Sequence, residues 1–292
     1  MRRTIVCLIA IFLLLPFLYG GCGGDGGSKL EPFNTSCFPL EIPGTDGGWC
    51  NFAFDADGNL ILPDNVTNEI LSVDRLSCVL STLATVSAGG QLYSIVYHPG
   101  MDTIYVGDDA WNIYAVNPSS GASTLFVNLG NYPNALVVAP EGYGPFGGQL
   151  LAATTAGVLV AVDTASAAMT DVADTGGTLS DLEFTSEGTL YAVNDDSGEI
   201  ITISSEGMTS VFASGFLALD GIAVDNTEGR LLVADSDADI LYGVDLAGGA
   251  RTNLGSFDFD SGYYPSGLAF DGVATVLMGT GEVNLTILAH KP

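Results

Sequence analysis

Six segments of the chain follow one pattern: "NFAFDADGNLILPD", "SIVYHPGMDTIYVGD", "ALVVAPEGYGPFGGQLLAAT", "DLEFTSEGTLYAVN", "GIAVDNTEGRLLVAD" and "GLAFDGVATVLMGT". In each, an apolar run ends on one residue, a turn follows, and a second apolar run begins. The closing residues are Asp55, His98, Ala139, Thr185, Asp225 and Asp271, a recurrence of about 43 residues from residue 50 to the end. A unit of that size cannot enclose a core alone and must stack on its neighbours.

Each unit carries three short runs of β-branched and aliphatic residues, such as Gly221–Val224, Leu231–Ala234 and Ile240–Val244. Five units add a weaker fourth, including "STLATV" and "GMTSVF". Runs of four to six such residues bounded by Gly, Asp, Asn and Ser are strands. Several are apolar at consecutive positions, which requires burial on both faces, as in sheets stacked radially about an axis. The fold class predicted is all-β, a six-bladed β-propeller of four-stranded antiparallel blades. After "LTILAH" the sixth unit has no room for a fourth strand. The spare segment Ser36–Ile42 is expected to supply it and close the last blade.

The first residues read as an export signal. Arg2 and Arg3 precede an apolar stretch, Thr4 to Tyr19, that is short for a membrane span. It stops at Gly20-Gly21-Cys22, which resembles a bacterial lipobox, with Tyr19 where an apolar residue is usual. The expected division is a signal peptide at 1–21, a flexible Gly-rich tether at 22–33 and the propeller at 34–292. Cys22 is the predicted lipidation site; cleavage and plain secretion is the alternative. The expected location is the cell envelope, periplasmic or outer surface, with the membrane contacted through the lipid anchor. In an oxidising compartment Cys37, Cys50 and Cys78 allow one disulfide and one spare thiol. Cys37–Cys50 is the preferred pair, although spacing leaves the choice open.

The charge balance, 34 acidic against 7 basic residues, gives a formal net charge of −27. Such a surface repels nucleic acid and anionic headgroups and favours cations. Apolar content is too high for disorder, so the acids lie on a folded domain, where they also serve solubility.

In a propeller the first strand of each blade lines the central channel, and the position before it points into the channel mouth. Round the ring that position holds Cys50, Tyr93, Asn134, Ser180, Asp220 and Ser266. The second strands end at Asp64, Asp108, Thr154, Asn194, Asp235 and Thr280. The pattern "DGIAVD…LLVAD…LYGVD" resembles the family of SMP-30, gluconolactonases and NHL-type propellers across the mature domain. That resemblance implies one divalent cation (calcium, magnesium, manganese or zinc) at the channel mouth. Its ligands there are a Glu, an Asn and an Asp before first strands. "PNALVV" places Asn134 at the Asn-like position and "DGIAVD" places Asp220 at the Asp. At the glutamate position stands Cys50, so Asp181 is the candidate third ligand.

Tyr93, Asp108, Trp111, Asn194, Asp235 and Tyr264 are the further candidate binding residues of the mouth; Tyr132, Tyr143 and Tyr263 fall in the same rim segments. Rim aromatics beside carboxylates suit stacking on sugar or peptide groups, or packing between loops. Asx residues at strand ends equally suit turns, where they bond backbone N–H groups. "DADGN" at 55–59 lacks the glycine and glutamate of an EF-hand loop and reads as a hairpin. No nucleophile–histidine–acid set, Cys-x-x-Cys or phosphate-binding glycine loop is present; the two histidines are His98 and His290. The expected function is a monomeric, membrane-anchored binding module for a protein, peptide or glycan. The alternative is a divalent-metal lactone hydrolase using Asn134 and Asp220.

Overall fold

Recurring aspartates mark where several of the strands stop. Asp55 accepts hydrogen bonds from the Asp57 and Asn59 N–H groups at 2.9 and 2.8 Å. Asp225 accepts from Thr227 and Glu228 at 3.1 and 3.0 Å. Later in the first, third and fifth units Asp74, Asp163 and Asp245 do the same for Leu76 and Ser77, for Ala165 and Ser166, and for Ala247. A side chain that satisfies the N–H two or three residues ahead stabilises a reversal locally, so each run ends in a tight turn.

A computed structural model of the protein describes residues 40–41, 51–256, 265–270, 275–280 and 284–289. It is a β-propeller of four-stranded antiparallel blades. After β1 (Leu40–Glu41), the first blade is β2 (Ala53–Phe54), β3 (Leu60–Asp64), β4 (Glu69–Val73) and β5 (Leu80–Thr85). The second is β6 (Leu92–His98), β7 (Thr103–Asp108), β8 (Asn112–Val116) and β9 (Ser123–Asn128). The third is β10 (Pro133–Val138), β11 (Leu150–Thr154), β12 (Val158–Val162) and β13 (Met169–Asp174). The fourth is β14 (Leu179–Phe184), β15 (Leu190–Asn194), β16 (Glu199–Ile203) and β17 (Thr209–Ser214). The fifth is β18 (Leu219–Asp225), β19 (Arg230–Asp235), β20 (Ile240–Asp245) and β21 (Arg251–Ser256). Strands pair in chain order within each blade. Where the sequence predicts six equal units, these five are described throughout. The last unit, β22 (Pro265–Phe270), β23 (Thr275–Thr280) and β24 (Asn284–Ala289), forms a four-stranded sheet with β1. There Leu40 lies opposite Leu285 and Glu41 opposite Asn284.

Burial falls outward along each blade. Every residue of β3, β11 and β15 is buried, as are all but the first of β7 and β19. Outer strands such as β17 and β21 are mostly exposed. This gradient explains why second strands lack alternation: both faces meet a neighbouring sheet. Ile61 and Ile70 of the first blade pack with Leu92, Ile95, Ile104 and Val106 of the second. Leu268 packs with Ala223 and Leu232 of the fifth blade, and Ala269 against Phe52, Leu60 and Leu62 of the first.

Cys78 is disulfide-bonded, and every other cysteine lies outside the described residues. The expected Cys37–Cys50 pair would have left Cys78 as the spare thiol, and that part of the expectation is corrected. The export signal, Cys22 and the tether also lie outside the described residues. No helix among the described residues is long and apolar enough to cross a membrane.

Close approach of first strands predicts a stability effect. A Cβ on Gly221 would stand 2.9 Å from Leu268 Cβ and 3.0 Å from the Leu268 backbone nitrogen. Gly221→Ala is therefore expected to cost about 1–3 kcal/mol in urea unfolding. Gly248→Ala, where the Cβ meets nothing within 4 Å, should be near neutral. Equal effects of the two would contradict this packing.

Candidate binding site at the channel mouth

A one-residue bulge opens the first strand of blade after blade. The ladder slips between Leu92 and Ser94, Pro133 and Ala135, Leu179 and Asp181, and Leu219 and Gly221. The same slip recurs in β22 between Pro265 and Gly267. The residues left out of register are Tyr93, Asn134, Ser180, Asp220 and Ser266, five of the six positions read from the sequence. A bulged residue leaves the ladder and its side chain is re-aimed. Tyr93, Asn134, Ser180 and Asp220 converge with Asn51, Tyr132, Thr178 and Asp195 around a cavity of about 280 Å³. Residues at or just before the first strands of all five described blades contribute, so the cavity sits over the ring axis. At the first blade the lining residue is Asn51, one place beyond Cys50, which lies outside the described residues, as does the Ser266 side chain.

Hydrogen bonds fix these side chains across blades. Asn51 donates from Nδ2 to the Asn134 carbonyl at 3.3 Å, and Asn134 donates from Nδ2 to the Leu179 carbonyl at 2.9 Å. Tyr93 donates its hydroxyl to Gln91 Oε1 at 2.7 Å, and its ring lies 5.6 Å from that of Tyr132, tilted by 55°. Asp220 Oδ2 is sealed from bulk water and has no hydrogen-bond partner in the protein. Burial pushes the Asp220 carboxyl up to about 6 against an opposing hydrogen bond from the Ser236 side chain, with the charges of Asp195, Asp237 and Asp235 adding to the rise. Burial also raises Asp195, helped by its neighbour Asp196.

The strand-end residues take a different role from the one expected of them. Asp108, Asn194 and Asp235 are buried at 0, 5 and 1% exposure. Asp108 Oδ2 accepts from the Gly89 and Gly90 N–H groups at 3.2 Å and from the Tyr114 hydroxyl at 3.0 Å, and Oδ1 from Asn112 N–H at 2.8 Å. Asp235 accepts from Leu217 and Ala218 at 3.0 and 3.1 Å, and Asn194 from Ser197. These side chains are consumed by backbone groups that have no ladder partner. Asp108 and Asp235 thereby tie the ends of β7 and β19 to the crossover entering the same blade, and so set where β6 and β18 start, while Asn194 closes its own turn.

Asp181 is also placed away from the mouth. The bulge at Ser180 turns Asp181 between the fourth and fifth blades, where it accepts from Leu182 N–H at 2.9 Å and Ile222 N–H at 3.0 Å. Burial nonetheless pushes it up to about 7. With both its oxygens engaged, Asp181 does not complete a cation site with Asn134 and Asp220. No group of three His, Cys, Asp or Glu suited to a metal converges among the described residues. Among the described residues the ligand set implied by the lactonase resemblance is therefore not assembled.

Trp111 lies in the β7–β8 turn, at the same end as the cavity, since Asp108 pairs with Leu92. It is 50% exposed and does not line the cavity. Its φ of 71° is left-handed; the corresponding turns hold Asn68, Gly157, Gly198 and Asp239, residue types that tolerate this region. Tyr143 is buried and donates to the Ile203 carbonyl at 2.9 Å, so it is a packing residue. Tyr263 and Tyr264 lie outside the described residues. His98, at the far end of β6 from Tyr93, has Nε2 3.0 Å from the Gly148 carbonyl.

Asn51, Thr178 and Asp195 join the cavity without having been singled out in the sequence. Asp195 follows a strand end, like many turn residues, and only the folding of the β15–β16 turn toward the axis distinguishes it.

The raised carboxyls set the pH dependence of stability. Asp181 and Asp220 hold protons more tightly when folded than at their ordinary value of 3.8. Their contribution is therefore most favourable below about pH 4 and, with that of Glu183, which burial pushes up to about 8, is lost as pH rises through 6 to 8. Urea unfolding of the full-length protein should show stability falling across that window. Asp220→Asn, which does not titrate, should lose less between pH 5 and 7; an unchanged profile would contradict the assignment.

No protein-family model and no curated protein matches the chain. Solved structures do. A catalytically inactive histidine-to-alanine variant of virginiamycin B lyase from Staphylococcus aureus, with quinupristin, has a TM-score of 0.65 at 14% identity, covering 86% of this chain and 83% of that one. An auxiliary nutrient binding protein from Bacteroides thetaiotaomicron has a TM-score of 0.67 at 14% identity, covering 90% and 75%. The Cps50 (Swd1) β-propeller domain of Myceliophteria thermophila has a TM-score of 0.61 at 13% identity, covering 82% and 83%. At these identities the likeness is one of fold, and the fold is the propeller.

Proposed function

We propose that the chain is an extracytoplasmic binding module that holds its ligand at the bulge-lined channel mouth. The observation that carries this reading is the convergence of bulged residues from four blades on one cavity. Together with Asn51, Tyr132, Thr178 and Asp195 they bring two tyrosines, two asparagines and two aspartates to the same space. A concave site with aromatic walls and a few oriented polar groups is the form that small-ligand sites take. In the same reading the sheet of β1 and β22–β24 is the sixth blade, completing the ring around that mouth. Export and a lipid tether at Cys22 are supported by the sequence of residues 1–33.

The structural neighbours include a nutrient binding protein and a lyase, so the fold serves both binding and catalysis, and the site must decide. The lyase variant is described as catalytically inactive with a histidine replaced. Among the described residues no histidine lines the mouth, and His98 stands at the opposite end of its strand. The residues of the mouth hold and orient a ligand. Among the described residues they include no group of three His, Cys, Asp or Glu suited to a metal.

The test is a thermal-shift screen of the full-length protein against amines, amino acids, sugars and short peptides, repeated on Tyr93→Ala. A ligand that binds the folded state at 100 times its Kd stabilises by about 2.7 kcal/mol. At least one class should raise the melting temperature of the wild type, and Tyr93→Ala should lose at least half of that rise. A hit that Tyr93→Ala leaves unchanged would place binding elsewhere and contradict the proposal.

A further inference from the structure

Resting on the reading of the mouth as a binding site, we infer that its ligand is an organic cation, an ammonium or guanidinium group, seated between Asp220, Asp195 and the Tyr93–Tyr132 pair. The argument is an account of donors and acceptors. The hydroxyl of Thr178 already donates to the Thr155 carbonyl at 3.2 Å, and that of Tyr93 to Gln91. One amide hydrogen of Asn51 and one of Asn134 are likewise committed to backbone carbonyls. Much of the donor capacity of the lining is therefore spent inside the protein. Acceptors remain. Asp220 Oδ2 is buried with no partner, and the Asp195 carboxylate lies on the same cavity. Among the described residues the lining contains no lysine or arginine. A buried acceptor without a donor is costly, and a charged one more so. A ligand that brings several N–H donors and a positive charge removes that cost.

The alternatives fit less well. An anionic ligand would meet two carboxylates and no cation. A neutral polyol brings hydroxyl donors, but leaves the carboxylate charges of Asp195 and Asp220 unneutralised in a partly desolvated space. The tilted Tyr93–Tyr132 pair adds a feature specific to cations, since the faces of aromatic rings attract positive charge. The surrounding charge works in the same direction: a net −27 raises the local concentration of cations and steers them inward. The cavity of about 280 Å³ accommodates one amine or guanidine head group. That group could be a free small molecule or the side chain of a lysine or arginine on a partner protein; the chemistry recognised is the same.

Isothermal titration of the full-length protein at physiological salt, where attraction to the outer surface is screened, separates these cases. The probes are agmatine, putrescine, the peptides Gly-Arg-Gly and Gly-Lys-Gly, and glucose as the neutral control. Binding of agmatine, putrescine or a peptide with a stoichiometry of one is expected, weakened at least tenfold by Asp220→Asn and by Asp195→Asn. Asp171→Asn removes the same charge from an exposed position of β13, outside the cavity lining, and should leave binding unchanged. Tyr93→Leu, which keeps both carboxylates, should weaken binding several-fold and guards against a folding defect in the aspartate variants. Free amines binding as well as the peptides would identify a small ligand, and peptides binding alone would identify a partner's side chain; both support the inference. Glucose binding in preference to every amine would overturn the cation assignment while leaving the mouth as a binding site. Binding of amines that Asp171→Asn reduces as much as Asp220→Asn would overturn it as surface attraction.

Discussion

The end of a β-strand leaves backbone N–H groups with nothing to bond, and this protein meets that constraint with short acidic side chains. Asp55 and Asp225 close first strands, Asp74, Asp163 and Asp245 close third strands, and Asp64, Asp108 and Asp235 close second strands. The turn bonds of Asp55, Asp74, Asp163, Asp225 and Asp245 are local, whereas those of Asp108 and Asp235 reach back 17 to 19 residues along the chain. Their joint effect is positional. By holding Gly89 and Gly90, or Leu217 and Ala218, Asp108 and Asp235 set where the first strand of their own blade begins. Much of the chain's acidity is thus a structural requirement before it is an electrostatic one.

On that frame the bulge is the device that makes a site. Within a regular ladder, Tyr93, Asn134, Ser180 and Asp220 would alternate with their neighbours across buried sheet faces. One extra residue in each first strand takes them out of register and presents them to the axis. Part of the cost falls on Asp181 and Asp220, carboxyls that burial pushes up to about 7 and about 6. Asp181 is compensated by two backbone donors from adjoining blades and so contributes to joining them. Asp220 Oδ2 has no such compensation. Two neighbouring acids in one motif family therefore divide into a structural one and a ligand-facing one.

The sequence displays the propeller because its signals are local: apolar runs, turn residues and a recurrence of about 43 residues. The ring of first-strand residues is legible for the same reason, since blade repetition carries the position of Tyr93 to Asn134, Ser180 and Asp220. What is not legible depends on parity and on partners. Asp108 and Asp235 look the same in sequence whether they face a ligand or a backbone N–H. Asp181 looks like a third cation ligand until the bulge at Ser180 reverses its direction. Asp195 reaches the cavity through the fold of a turn rather than through any spacing. Trp111 occupies a left-handed position that its counterparts fill with Asn, Gly or Asp, which residue identity alone does not announce.

The central claim is that Asp220 is a buried, ligand-seeking carboxylate at the mouth of the ring. The most direct measurement is the carboxyl carbon-13 NMR titration of Asp220, with and without agmatine. The account predicts a midpoint near 6 in the free protein, displaced downward when the cation binds, because a nearby positive charge favours the ionised form. A midpoint in the ordinary carboxylate range near 3.8, indifferent to the amine, would show that Asp220 is neither desolvated nor a ligand-binding group, and would contradict the account.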